Sequence, residues 1–77
     1  MPITTHTGKT INCDLAVESP STERLYLNCV GMTPVEAAGI FLNPAELPLE
    51  GYAAYTVFES MNVSPNGTAI TLRKGGR

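Results

Sequence analysis

Two stretches of this chain alternate apolar and polar residues one for one, and a period of two leaves extended backbone as the regular structure that can bury one face of them. In residues 10–17, Ile11, Cys13, Leu15 and Val17 share one side, with Asn12 and Asp14 on the other. In Arg24–Val30, Leu25, Leu27 and Cys29 oppose Tyr26 and Asn28. The polar segment between them, residues 18–23, contains a proline and reads as a connecting loop. An antiparallel hairpin with both apolar faces inward sets Val17 against Leu25, Leu15 against Leu27 and Cys13 against Cys29. That last pair reads as two reduced, buried thiols, with a disulfide or redox role as the alternative.

Ahead of this hairpin, Ile3 and Thr5 form a shorter strand, and Gly8 supplies the permissive backbone of a tight turn. Ile3 joins the face of Cys13 or Leu15 only if the paired positions sum to an even number, which requires an odd loop around Gly8. After Gly31 and Met32, the run Thr33-Pro34-Val35-Glu36 carries a capping box, with Thr33 as N-cap, Pro34 at the first helical position and Glu36 closing the box. A helix of about ten residues is expected, ending at Asn43-Pro44, because the residue before a proline avoids the helical region. Val35, Ala38, Gly39 and Leu42 recur at helical spacing along it. Gly39 costs roughly 1 kcal/mol relative to Ala inside a helix, which implies a close approach to the sheet or to another chain.

Residues 43–48 hold two prolines and read as a loop or single turn. From Gly51 a long extended stretch follows, with Tyr55, Val57, Met61 and Val63 on one face and Ala54, Thr56, Phe58, Ser60 and Asn62 on the other. Ser64-Pro65-Asn66-Gly67 is a turn, and residues 68–73 return as its partner, with Ile70 and Leu72 on one side. The expected fold is a single α+β domain over residues 1–77: a mostly antiparallel sheet in the order β-β-β-α-β-β, one short helix packed on it, and a polar tail at 74–77.

A chain of 77 residues hides only about 60% of the surface it exposes when unfolded, so association with itself is expected to bury more. Five Lys and Arg against seven Asp and Glu leave a net charge of −2, without the basic stripe that duplex nucleic acid requires. The opening residues show no cationic stretch leading into an apolar core, and no apolar run reaches the length of a membrane span. A soluble cytoplasmic protein is expected. Two cysteines are too few for a disulfide scaffold and lack metal-ligand spacing.

Residues with chemical potential are few and scattered. His6 sits among threonines without an adjacent carboxylate, cysteine or second histidine, and reads as solvated. Thr4, Thr5, Thr7 and Thr10 read as strand-surface hydroxyls with no base to activate them. Gly8-Lys9-Thr10 resembles the end of a phosphate-binding loop, but Ile3 stands where that motif needs its first glycine and no helix follows. Glu46, Glu50 and Glu59 read as solvated surface rather than a converging acid set. No catalytic residue, metal site or cofactor is expected, and the chain reads as a non-enzyme. Tyr26, Tyr52 and Tyr55 are the candidate partner-binding residues, since tyrosine joins a large contact area to a polar tip.

The segments Ile3-Thr4-Thr5-His6-Thr7-Gly8-Lys9, Asp14-Leu15-Ala16, Leu49-Glu50-Gly51-Tyr52 and the stretch 66–74 together resemble small uncharacterised proteins of bacteriophages and prophages. The resemblance implies a phage origin, where such a chain tends to be a virion part or a small binder that blocks a host defence protein. It carries over no site residues. Thr7-Gly8-Lys9-Thr10-Ile11 and Leu72-Arg73-Lys74-Gly75-Gly76-Arg77 are also similar to the first turn and diglycine tail of ubiquitin. Ubiquitin, however, places its helix directly after the first hairpin. The leading expectation is a binding protein in the host cytoplasm, homo-oligomeric, that inhibits a host protein or sequesters a small ligand. The alternatives are a structural part of the virion, at the head-tail connector or tail, and a ubiquitin-like protein.

Overall fold

Each alternating stretch becomes a strand, and of the expected facings between them the pair Cys13 and Cys29 is kept. The structure, a computed structural model, describes residues 2–75, so Gly76 and Arg77 of the expected tail lie outside the described residues. The strands are β1 (Pro2–Thr4), β2 (Thr10–Ser19), β3 (Arg24–Val30), β4 (Tyr55–Ser64) and β5 (Gly67–Lys74), with helix α1 (Pro34–Phe41) and a 3-10 turn (Pro44–Glu46) between β3 and β4. All pairings are antiparallel, and the spatial order is β1-β2-β3-β5-β4. The helix follows the third strand, a departure from the order of ubiquitin. No helix among the described residues is long and apolar enough to cross a membrane.

Ile3 pairs with Ile11 around the odd loop 5–9, and both side chains are buried. Cys13 lies opposite Cys29, with Leu25, Leu27, Ile70 and Leu72 continuing the core along β3 and β5. Thr33 caps α1: its Oγ1 accepts from the Glu36 amide at 3.2 Å, while its own amide donates to Glu36 Oε1 at 3.0 Å. The capping box thus starts the helix where its residues stand in the chain.

The structure corrects three sequence-based facings. The first is in β2, where a bulge between Cys13 and Leu15 shifts the register, so that Leu15 opposes Asn28, Ala16 opposes Leu27 and Val17 opposes Tyr26. One extra residue reverses the alternation beyond it. Leu15 and Val17 therefore stand 48% and 44% exposed, and Ala16 takes the place over the core.

The second correction concerns α1. Ala37 and Phe41 are its buried residues and Ile40 is partly buried, whereas Val35 and Leu42 are exposed. Gly39 is exposed, with no close approach: a Cβ built there meets nothing within 4 Å. Nearly every residue of this helix is apolar, so spacing alone leaves its orientation open. Burying the aromatic ring of Phe41 gains the most area and selects the face.

The third lies in β4, which begins at Tyr55 rather than near Gly51. Residues 49–54 instead fold into turns, closed by the Tyr52 amide on the Leu49 carbonyl and the Tyr55 amide on the Tyr52 carbonyl. Two bulges, between Tyr55 and Val57 and between Phe58 and Ser60, set Phe58 opposite Leu72 and Val57 opposite Arg73. Phe58 and Met61 consequently pack on the core, while Val63 is exposed.

Candidate interaction surface

The sheet has one covered face and one open face, and the residues with binding or chemical potential divide between them. On the covered side, at the end where β1 turns into β2, Glu46 is only 3% exposed. This overturns its reading as solvated surface. Its Oε1 accepts from Thr5 Oγ1 at 2.8 Å and from Thr7 Oγ1, and its Oε2 pairs with Lys9 Nζ at 2.9 Å. Thr5 Oγ1 in turn accepts the Lys9 amide, and the His6 amide donates to the Glu46 carbonyl. Thr5 is buried too, so it is a ligand of this carboxylate rather than a surface hydroxyl.

The hydroxyl of Thr7, the ammonium of Lys9 and the hydroxyl of Thr5 together hold the Glu46 carboxyl down to about 2, because each donates to its charged form. Gly8 and Lys9 thus belong to a loop that binds an internal carboxylate, and Thr10 opens β2. The clue in the sequence is the set of closely spaced donors Thr5, Thr7 and Lys9, but nothing local names the acid that receives them. A shallow groove beside this knot is bordered by Thr5, His6, Pro48, Leu49, Glu50 and Ala53. His6 is exposed there.

Cys13 and Cys29 are fully buried, with their sulfurs 3.9 Å apart as thiols. The contact with Cys13 and burial both push the Cys29 thiol up, which disfavours the thiolate needed for nucleophilic attack. Among the described residues, no group of three or more His, Cys, Asp and Glu could hold a metal ion.

The three candidate tyrosines do not come together. Tyr55 is 7% exposed and belongs to the core. Burial, together with the Glu18 carboxylate as hydrogen-bond partner, pushes its phenol up. Tyr52 is half-buried against the core. Tyr26 alone points from the open face, at 38% exposure.

On that open face Tyr26 lies beside Val17 on β2 and Thr71 on β5, with Leu15 next along β2. Polar ends bracket this apolar stripe. At one end Asp14 Oδ1 accepts from Asn28 Nδ2 at 2.7 Å and Oδ2 from Asn66 Nδ2 at 3.5 Å, and Ser64 donates to Asn28 Oδ1. At the other, Glu59 pairs with Arg24 at 2.8 Å and with Arg73 at 3.4 Å. Leu15 and Val17 were missed as surface candidates because strict alternation assigns them to the core. No protein family, curated protein or solved structure matches this chain.

Proposed function

We propose that this chain is a non-catalytic binding protein that engages a protein partner through the open face of its sheet. The observation that carries this reading is the bulge at Asp14, which turns Leu15 and Val17 outward beside Tyr26 and so places apolar area on a surface that alternation alone would keep polar. Contiguous exposed apolar residues with a polar rim are the usual mark of an interaction site. The groups with chemical potential have other duties: Glu46 is saturated by Thr5, Thr7 and Lys9, and both thiols lie in the core.

The resemblance to small phage proteins extends the reading to a binder acting in the bacterial cytoplasm on a host defence protein. The open strand edge of β2 favours a second reading, a structural part of a virion, since such an edge suits assembly into a larger array. Capture of partners from bacterial cells, with Tyr26→Ala and Leu15→Ser compared with wild type, tests the proposal. Truncating an aromatic anchor often costs about 2 kcal/mol or more, so Tyr26→Ala should lose the partner at least about ten-fold while its melting temperature stays close to wild type. Retention of the partner at wild-type affinity by both variants would remove the open face from the reading. Recovery of head or tail proteins would turn the assignment to the virion.

A further inference from the structure

Cys13 and Cys29 are directly opposed in the β2–β3 ladder, and both side chains are fully buried in the core. Their sulfurs are 3.9 Å apart. Residues opposed in an antiparallel pair hold their Cα atoms about 4.5–5.5 Å apart, inside the span of roughly 4.4–6.8 Å that a disulfide bridges. Bringing the sulfurs to about 2.05 Å therefore asks for side-chain rotation and no new strand pairing. Thr68, opposite Cys29 in β5, donates its hydroxyl to the Met32 carbonyl at 2.6 Å, so its proton is not offered to the thiols.

We infer that Cys13 and Cys29 form a reversible oxidation site, whose reagent is hydrogen peroxide and whose product is a disulfide joining β2 to β3. Cys13 is the attacking thiol. The hydrogen bond with Cys29 lowers its pKa against the opposing effect of burial, whereas the same contact and burial raise that of Cys29. The thiolate is the nucleophile, so ionisation selects Cys13. Its sulfur takes one oxygen of the peroxide as the O–O bond breaks, which leaves a sulfenic acid and releases the other oxygen as water. The Cys29 sulfur then attacks the Cys13 sulfur, the S–O bond breaks, and the hydroxide leaves with the Cys29 proton as a second water. The two thiols give up two electrons and the peroxide accepts them.

Access to the pair is set by the strand. β2 departs from regular pairing immediately after Cys13, at the bulge that precedes Leu15. A bulge leaves one residue outside the ladder, and local opening is easiest where backbone pairing is interrupted. A reagent near the size of water needs only a small opening; a bulky one needs a larger. Once formed, the cross-link closes a loop over residues 14–28, the segment that carries Leu15, Val17 and Tyr26. Closing it removes freedom from the unfolded chain and fixes the strand pairing beside the bulge. The inference goes beyond the reading of the open face as a binding surface and stands without it.

Treatment of the native full chain with hydrogen peroxide, followed by mass spectrometry of the intact protein and its peptides, tests the site. The product should hold a disulfide between Cys13 and Cys29 within one chain, lighter by about 2 Da for the two hydrogens lost, and a dithiol reductant should reverse it. Both thiols should disappear together, at least about ten-fold faster than a bulky maleimide labels either. The oxidised protein should melt higher by at least about 5 °C, as a cross-link over a loop of this length implies. Cys29→Ser should instead hold a sulfenic acid at Cys13, captured by a dione probe, while Cys13→Ser should give little at Cys29. The wild-type measurements carry the test if either variant fails to fold. Cross-linking only in denaturant, oxygen added to the cysteine sulfurs in place of a disulfide, a disulfide between chains, or an oxidised form that melts no higher than the reduced one would overturn the inference. So would a sulfenic acid captured in Cys13→Ser and not in Cys29→Ser.

Discussion

A Cβ added at Gly67 would stand 2.0 Å from the Cys29 carbonyl oxygen, whereas one added at Gly39 would meet nothing within 4 Å. The two glycines therefore have opposite value. At Gly67 the neighbour is backbone in the centre of the sheet and cannot give way, so Gly67→Ala should destabilise by at least about 2 kcal/mol or prevent folding. At Gly39, exposed in α1, alanine only removes backbone freedom from the unfolded chain and improves helix propensity. Gly39→Ala should stabilise by about 0.5–1 kcal/mol, a rise of roughly 3–6 °C in melting temperature at this chain length. Thermal unfolding of the two variants checks both. Equal behaviour would contradict the packing around Gly67, and a destabilised Gly39→Ala would restore the close approach that helix spacing implies.

Among the elements, β2 is where sequence periodicity and structure part. Ile11 and Cys13 keep the alternation; beyond the bulge Leu15 and Val17 leave the core and Ala16 enters it. Truncation separates the two facings. Leu27→Ala, at a fully buried position opposite Ala16, should cost about 2–5 kcal/mol. Leu15→Ala and Val17→Ala should each change stability by less than about 1 kcal/mol, as surface substitutions do. Denaturant titration gives the comparison directly, and a large loss at Leu15 would mean that strict alternation continues through Asp14. The same phase shift occurs twice in β4, where bulges bring Phe58 inward. α1 differs in kind: its N-terminus was legible from Thr33, Pro34 and Glu36, whereas its buried face was not, because an almost wholly apolar helix offers several equivalent stripes.

For the molecule as a whole, the buried Glu46 ties the β1–β2 loop to the 3-10 turn, joining segments that no strand pairing connects. Its carboxyl lies near 2 in the folded protein against an ordinary value of 4.5. A depressed carboxyl stabilises the fold fully above its unfolded value and loses that contribution as pH falls towards the folded one. Stability should therefore decline between about pH 4.5 and pH 2, and Glu46→Gln should lower the melting temperature at neutral pH while flattening this acid limb. An acid limb as steep in Glu46→Gln as in wild type would assign it to other carboxylates. What the sequence by itself determined was the class of fold, the order of strands and helix along the chain, the odd loop of the first hairpin, the capped start of α1 and the facing of Cys13 and Cys29. Those features rest on alternation, capping and turn chemistry among residues close in the chain. Only the tertiary structure decided that Leu15 and Val17 turn outward, that Tyr55 is core and Tyr26 surface, and that Glu46 is an internal anchor. A bulge is one residue that leaves no mark on composition, and Glu46 finds Thr5 only after folding brings together positions 41 residues apart.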